Sequence, residues 1–268
     1  MNYKLLFPTY RSRYRYVTKT LQMLRQAQSF PQGLNLGCGE GDYDPVILRY
    51  VDQLTSCDIN EADIDFARSS NQAFDKVTYQ VEDACQLSLA PASVDLIVST
   101  EVIEHVGSSE QMMVEIGRVL KPNGVLVLTF PSIDFPFTYD PINRILSFFQ
   151  KKISLGAYAF GHDRLIDTEE VKRWASAQGL ELEQEQNLGN YLVGLTEMYW
   201  VGICQSILKP NANNLSGNST NGKRKGLRPS HKKPYLTVLT DALIRVDDFL
   251  FGKGKAAVCK GMVFRKKP

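Results

Sequence analysis

The chain of 268 residues is long enough for one large hydrophobic core, and its composition, 43% hydrophobic and 22% charged, is typical of a globular protein rather than a disordered one. Its five cysteines are widely spaced and form no CxxC pair, which argues against a zinc site and a disulfide framework; we expect no metal and a cytoplasmic location. The net charge of +2 is unevenly distributed: residues 1–200 hold 17 Lys and Arg against 26 Asp and Glu, a balance of −9, and residues 201–268 hold 14 against 3, a balance of +11. The basic tail indicates either an anionic partner or a solvated, solubilising segment.

Residues 1–30 are expected to form an N-terminal helical segment. The apolar run from Leu5 to Phe7 is too short for the core of a signal peptide, and arginines follow it on the wrong side. Apolar residues have helical spacing from residue 16 to residue 28. Pro31 and Gly33, which follow, are helix breakers.

Residues 31–190 alternate between apolar runs and helical patterns, which favours a parallel sheet with helices on both faces. One predicted helix follows the second strand and passes through Ala62, Phe66 and Ala67. Two further helices are predicted from Gln111 to Leu120 and from Thr168 to Gln178. The predicted strands are 33–36, 54–59, 77–81, 94–99, 125–130 and 180–186, with a seventh at 257–265 near the end of the chain.

Two segments depart from this alternation. Residues 131–167 contain three prolines and several aromatic residues, and we expect them to form an insert that covers the substrate. Residues 191–256 form a second insert, in which an apolar helix is followed by a flexible basic linker and an amphipathic helix; residues 257–268 then supply the last strand. The amphipathic helix is predicted from Leu236 to Phe251, with one apolar stripe through Leu236, Leu239, Leu243, Val246 and Leu250.

The apolar run from Tyr191 to Leu208 is marginal for a bilayer span, because it is about 18 residues long and carries Glu197 near its middle. Two interpretations remain open. It packs as a core helix or a homodimer surface, or it lies at an anionic membrane surface beside the basic run Lys223–Lys233.

A glycine-rich loop follows the first predicted strand, in the stretch from Leu34 to Gly41 (LNLGCGEG). Glycine permits positive φ and a close approach of a ligand to the backbone. The spacing is GxGxG, and Asp42 stands where the dinucleotide fingerprint requires Gly or Ala. A pyrophosphate would also be repelled by Glu40, Asp42 and Asp44, so this loop suits a cationic ligand with an uncharged ribose better.

Polar residues at the ends of the next three strands fit the same ligand. Asp58 ends the second strand, where a carboxylate can accept hydrogen bonds from both ribose hydroxyls. Asp83 ends the third strand and is placed to meet an adenine amino group. The block from Ser99 to Val106 (STEVIEHV) ends the fourth strand, beside the reacting centre.

These motifs together resemble the class I S-adenosylmethionine-dependent methyltransferases, in the methyltransferase type 11-like branch. The chain has LNLGCGEG, CDIN, VEDA, DLIVSTEVIEHV and LKPNGVLVLTFPS in the order that the family requires, over residues 33–132. The resemblance implies a Rossmann-like, doubly wound α/β sheet that is mostly parallel with an antiparallel last strand. It also implies S-adenosyl-L-methionine as cofactor, bound by Asn35, Gly37, Cys38, Gly39, Gly41, Asp58, Ile59, Asp83, Ala84 and Ser99.

Within that set, the resemblance assigns Gly37, Gly39 and Gly41 to the methionine part and Ile59 to the neighbourhood of the adenine. Asn35 is a departure, because the family usually has an acidic residue there. We expect it to retain an acceptor for the methionine ammonium without the charge.

Two histidines are candidate catalytic residues. His105 is a candidate general base or a structural residue of its turn, and His162 lies in the segment expected to cover the substrate. Glu101 and Glu104 could contact cofactor or substrate, with helix capping and surface exposure as the alternatives.

The predicted function is methyl transfer to a small molecule, glycan or lipid precursor, at a hydroxyl. The sequence lacks the Asn/Asp-Pro-Pro-Tyr/Phe motif of base amino methylation and the Pro-Cys nucleophile of cytosine chemistry, so a nucleic acid partner is not expected. The alternatives are a non-catalytic relative that binds the cofactor, for which Asn35 leaves room, and an RNA methyltransferase recruited by the basic tail.

Overall fold

The structure is a computed structural model that describes residues 2–135, 145–151, 164–196, 233–254 and 256–268. A seven-stranded sheet forms its centre. The strands are β1 Gln32–Leu36, β2 Gln53–Asp58, β3 Val77–Val81, β4 Val94–Thr100, β5 Leu120–Pro131, β6 Leu180–Leu188 and β7 Cys259–Lys266. The helices are α1 Pro8–Ala27, α2 Asp44–Ile47, α3 Glu61–Ser70, α4 Ser109–Val119, α5 Thr168–Ala177 and α6 Thr237–Phe251.

The strand order is β3-β2-β1-β4-β5-β7-β6, with β7 antiparallel to both of its neighbours and the other pairs parallel. The predicted mostly parallel sheet with an antiparallel last strand is therefore confirmed. The chain reverses its direction of travel across the sheet between β1 and β4. Ligands of such sheets bind outside the carboxyl ends of the strands at this point of reversal.

The central strands are buried on both faces, because successive side chains of a strand point to opposite sides. Leu34 and Leu36 of β1 pack with residues of α4 and α5 in one apolar cluster. On the opposite face, side chains of β4 and β5 pack with Val17, Leu21 and Ile47 of α1 and α2. The polar side chain of Asn35, on β1, points to this opposite face of the sheet.

Several boundaries differ from the sequence prediction. Helix α1 begins at Pro8 rather than residue 16, since proline is well suited to the first helical position, where its missing N–H is not needed. Strand β5 begins at Leu120 rather than at residue 125; its register with β4 shifts in this extension, where Asn123 takes a φ of 63°. Helix α2, after the glycine loop, has only four residues.

Helix α6 forms where the sequence predicts it, but the predicted apolar stripe faces outward: Leu239 is 69% exposed. The buried face carries Thr237, Thr240, Ile244 and Asp247 instead. Polar anchors decide this orientation.

The anchors of α6 lie on α1 and at the end of β6. Arg11 of α1 donates two hydrogen bonds to Asp241, at 2.9 and 3.0 Å. Asp247 accepts the backbone N–H groups of Asn190 and Leu192, at 2.5 and 2.8 Å. A buried carboxylate with such donors cannot turn outward without losing them, so the leucines are left at the surface.

The predicted apolar helix and basic linker fall largely on residues 197–232, which lie outside the described residues. Across the parts of the chain that the structure describes, no helix combines the length and the apolar character needed to cross a bilayer.

Candidate cofactor and acceptor site

The glycine loop wraps the carboxyl end of β1 and is held by the end of β2. The backbone N–H groups of Gly37 and Cys38 both donate to the Cys57 carbonyl at 2.8 Å, and the N–H of Gly39 donates to Asp58 Oδ2 at 2.8 Å. The predicted positive φ values are observed, at 73° for Gly37 and 50° for Gly39.

The two glycines differ in what surrounds them. A Cβ added at Gly37 would lie 2.2 Å from Val102 Cγ2, whereas one added at Gly39 would meet no atom within 4 Å. Gly37 is therefore needed for packing against the residues after β4. Gly39 borders open space at the sheet edge, as a residue that cradles a ligand would.

A buried carboxylate, Asp44, supports the loop from behind. It accepts hydrogen bonds from Asn35 Nδ2 at 2.7 Å, Ser56 Oγ at 2.6 Å and the Tyr79 hydroxyl at 2.7 Å. Burial raises the pKa of Asp44 above its ordinary value, although its hydrogen-bond donors oppose the rise. This network joins β1, β2 and β3 beneath the loop.

Three residues predicted to contact the cofactor are buried and engaged within the protein. Asn35 donates through Nδ2 to Asp44, and the contact of its oxygen with the methionine ammonium stays a prediction. The Ser99 hydroxyl donates to the Leu36 carbonyl at 3.1 Å. The Cys38 thiol faces the Gly39 carbonyl at 3.5 Å, and burial raises its pKa. Their placement indicates that they shape the loop, and their contacts with the cofactor stay a prediction.

The other predicted residues lie along one edge of the sheet. Asp58 also accepts the N–H of Asn60 at 2.9 Å, so its carboxylate sits between the glycine loop and the start of α3. Ile59 is 70% exposed beside it. Asp83 is exposed and accepts the N–H of Cys85, and Ala84 belongs to the apolar core beneath. A polar ribose contact next to an apolar surface matches the needs of a nucleoside.

The acidic character of the loop is weaker than the sequence predicts. Lys4 forms ion pairs with Glu40, at 2.9 Å, and with Asp42. Burial opposes the charge of Lys4, but the two carboxylates raise its pKa above the ordinary value. Two of the three acidic residues thought to repel a pyrophosphate are thus neutralised, and the third, Asp44, is buried.

A second cluster, the acceptor-side cluster, occupies the carboxyl ends of β4 and β5; we define it as Arg13, Glu101, Glu104, Thr129 and Cys259. Glu101 Oε2 accepts from Arg13 Nη1 at 2.9 Å, and Oε1 accepts from Thr129 Oγ1 at 3.1 Å and Cys259 Sγ at 3.1 Å. Glu101 has a φ of 56°, a strained conformation for a residue with a side chain, and such strain is common at functional sites.

Sequence reasoning missed Arg13, Thr129 and Cys259. No local pattern connects them, because α1 and the antiparallel β7 bring them to this edge through tertiary packing. Three tyrosine rings extend the cluster: the centroids of Tyr10 and Tyr14 lie 5.9 and 5.7 Å from that of Tyr43.

Glu104 is buried, with a side chain that is only 1% exposed, so the alternative of surface exposure is wrong for this residue. Among the described residues, neither carboxyl oxygen has a hydrogen-bond partner, and His105 Nε2 lies 3.7 Å from Oε1. The His105 side chain itself is 53% exposed. Burial and the neighbouring Glu101 raise the pKa of Glu104 to about 9.

His162 lies outside the described residues, and its role in the site stays a prediction. Within the described ranges, no group of three or more His, Cys, Asp or Glu side chains is placed to hold a metal ion.

Comparison with known proteins agrees with this geometry. Residues 34–128 match the family model described as a methyltransferase domain. The chain is 32% identical over 99 residues to a probable S-adenosylmethionine-dependent methyltransferase of Mycolicibacterium smegmatis, which covers 37% of each chain. It is 26% identical over 162 residues to a ubiquinone biosynthesis O-methyltransferase of Rhizobium leguminosarum, covering 56% of this chain and 58% of that protein. The chain thus spans little more than a third of the first relative's length and under two thirds of the second's.

Two solved structures share the fold. The PH0226 protein of Pyrococcus horikoshii is 25% identical, with a TM-score of 0.53 over 68% of this chain and 87% of that one. A phosphoethanolamine N-methyltransferase of Haemonchus contortus in complex with S-adenosyl-L-methionine gives a TM-score of 0.54 over 90% of this chain and 50% of that one; its 17% identity shows the fold alone. Residues 34–128 are thus similar to methyltransferase domains, and the sheet that contains them has the Rossmann-like fold of the solved structures it resembles.

Proposed function

We propose that the protein binds S-adenosyl-L-methionine and transfers its methyl group to a hydroxyl of a small molecule, glycan or lipid precursor. The observation that carries this proposal is the pairing of the glycine loop with Asp58, which accepts the Gly39 N–H at 2.8 Å at the carboxyl edge of the sheet. This pairing sits inside a methyltransferase domain, with open space at Gly39.

The residues of the sheet edge fit the parts of the cofactor. The loop at Gly37 and Gly39 would hold the methionine part, and Asp58 would accept the ribose hydroxyls. Ile59 and Asp83, both exposed at the same edge, would contact the adenine ring and its amino group. When bound, the cofactor supplies an electrophilic methyl group on a sulfonium.

The acceptor is assigned to the acceptor-side cluster, because it lies at the ends of β4 and β5, next to the glycine loop. Methyl transfer from a sulfonium depends mainly on proximity and alignment. Tyr10, Tyr14 and Tyr43 offer aromatic surface there, and Glu104 offers oxygens for a hydroxyl. The name of the Rhizobium relative, an O-methyltransferase, supports a hydroxyl acceptor.

Calorimetry with S-adenosylmethionine, S-adenosylhomocysteine and NAD tests the cofactor assignment. We expect the first two to bind and NAD not to bind; the reverse would overturn the proposal. Transfer of a labelled methyl group to hydroxyl-bearing small molecules, glycans and lipid precursors then tests the reaction. Cofactor binding with no transfer to any acceptor would identify a non-catalytic relative.

We also propose a cytoplasmic location with peripheral contact to an anionic membrane. Leu239, Val246, Phe249 and Leu250 of α6 project from one outward face at helical spacing, and Phe249 is 88% exposed. The excess of 11 positive charges over residues 201–268 complements an anionic lipid surface. An exposed apolar face beside basic residues favours binding at a membrane surface.

A further inference from the structure

Glu104 is a buried carboxyl group whose polar atoms the fold leaves unused. Its side chain is 1% exposed, and neither oxygen has a hydrogen-bond partner in the part of the chain that the structure describes. Burying a polar group without a hydrogen-bond partner costs free energy. A buried carboxyl group that lacks one therefore indicates a functional role. A hydroxyl of the acceptor would supply the missing donor.

The position of Glu104 relative to the glycine loop supports this interpretation. Val102, two residues earlier in the same turn, packs so closely on Gly37 that a Cβ there would lie 2.2 Å away. The turn that carries Glu104 therefore lies against the part of the loop assigned to the methionine end of the cofactor. Because the methyl group is at that end, an acceptor beside it would meet this turn.

The charges around Glu104 differ from those around its neighbour Glu101. Glu101 is paired with Arg13 and accepts from Thr129 and Cys259, so both of its oxygens are occupied. Glu104 is influenced by the negative charge of Glu101 and the positive charge of Arg13, and it lies beside the exposed His105. Of the two carboxyl groups, Glu104 is the one with oxygens available to a ligand.

We propose that Glu104 is the catalytic base that accepts the proton of the methyl acceptor. This inference rests on the proposed function. The acceptor O–H gives its proton to the Glu104 carboxylate while an oxygen lone pair forms the new O–CH₃ bond. The S–CH₃ bond breaks with its electron pair remaining on sulfur, so the products are the methyl ether, S-adenosylhomocysteine and protonated Glu104.

Glu104 must be ionised before it can accept the proton, and the positive charge of the cofactor favours this ionised form. With a pKa of about 9, Glu104 is mostly protonated near neutral pH in the free protein. A sulfonium beside it favours the carboxylate and lowers its pKa, whereas the neutral thioether of S-adenosylhomocysteine does not. Binding of the two ligands should therefore differ in proton release.

Calorimetry at pH 8 in buffers of different ionisation enthalpy measures this difference without knowledge of the acceptor. We expect S-adenosylmethionine to release about 0.5 to 1 proton more than S-adenosylhomocysteine, as a carboxyl pKa that falls through the working pH requires. The Glu104→Gln variant should remove the excess while still binding both ligands. Gln matches the neutral acid in shape, so the variant should keep the wild-type melting temperature.

Two further variants make the test specific. Glu110→Gln, at an exposed position in the first turn of α4, should leave the excess unchanged. His105→Gln should also leave it unchanged, and loss of the excess in that variant instead of Glu104→Gln would overturn the proposal. Equal proton release for the two ligands in the wild-type protein would overturn it as well, whereas binding of neither ligand would refute the proposed function itself.

Discussion

The side-chain amide of Asn35 donates to Asp44 Oδ1 at 2.7 Å, in a buried network beneath the glycine loop. The family usually carries an acidic residue at this position, and here the acid is supplied by Asp44 nine residues later. Asp44 also accepts from Ser56 and Tyr79, so the loop rests on a single carboxylate surrounded by donors. An amide is the side chain that this arrangement requires at position 35, since a second carboxylate would place two acceptors in contact.

The Asn35→Asp variant should therefore be less stable, although it restores the residue usual in the family. Two buried carboxyl groups at hydrogen-bond distance share a proton, which raises the pKa of the pair. A raised native pKa gives stability that is present below the unfolded pKa and lost as the pH rises, so the deficit should grow from pH 5 to pH 8. Thermal melts at both pH values check this, with exposed Gln53→Glu as the control. A pH-independent deficit, or tighter cofactor binding, would contradict it.

Substitution of Gly39 should separate ligand binding from stability. A side chain there meets no protein atom within 4 Å but enters the space assigned to the cofactor, and its φ of 50° costs about 1–2 kcal/mol. Gly39→Val should abolish cofactor binding with a modest loss of melting temperature. Gly179→Val is the matched control, because Gly179 has a φ of 71° and open surroundings at the end of α5, away from the site. Similar cofactor affinities in the two variants would refute the assignment.

Removal of the Asp58 carboxylate should weaken cofactor binding. Loss of charge-assisted hydrogen bonds to the ribose costs about 1.5–3 kcal/mol, a factor of about 10 to 150 in the dissociation constant. Calorimetry on Asp58→Ala measures it. Asp65→Ala is the control, since Asp65 forms an exposed pair with Arg68 on α3. Wild-type affinity in Asp58→Ala would remove this residue from the site.

Glu104 should make the protein less stable at alkaline pH. Its native pKa of about 9 lies above the unfolded value, so its contribution to the free energy of unfolding is complete below the unfolded pKa, falls as the pH rises, and is lost through pH 9. Between pH 7 and pH 10 the melting temperature of the wild-type protein should fall further than that of Glu104→Gln. Parallel curves would show that Glu104 is ionised throughout and that its burial does not perturb it.

The outward face of α6 should control binding to lipid. Leu239→Ser with Phe249→Ser removes two exposed apolar side chains, and we expect it to reduce sedimentation with anionic vesicles at low salt. High salt should weaken binding of the wild-type protein, because it screens the basic residues. Leu182→Ser, an exposed position on β6, is the control.

Equal and negligible sedimentation with anionic and neutral vesicles would refute membrane contact. A dimer that is lost in the α6 double variant would instead identify this face as a subunit interface, the alternative that the sequence leaves open.

The positions of the strands along the chain, the glycine loop and the acidic residues at the strand ends could be predicted from the sequence, because each depends on local patterns. Alternating apolar runs specify buried parallel strands, and glycines at 37, 39 and 41 specify a turn with positive φ. Asp58 and Asp83 follow their strands directly, so the parallel topology places both at one edge.

Tertiary structure decided what lies around these elements, since contacts between distant residues leave no local pattern. The periodicity of α6 identifies a helix, but Arg11 and the N–H groups of residues 190 and 192 determine which face is buried. Likewise, Glu101 and Glu104 look equivalent in the sequence. Arg13 from α1 and Cys259 from β7 give Glu101 its hydrogen-bond donors, whereas Glu104 is buried with no such donor among the described residues. The difference matters because a carboxyl group takes its protonation state from the charges and donors that the fold brings to it.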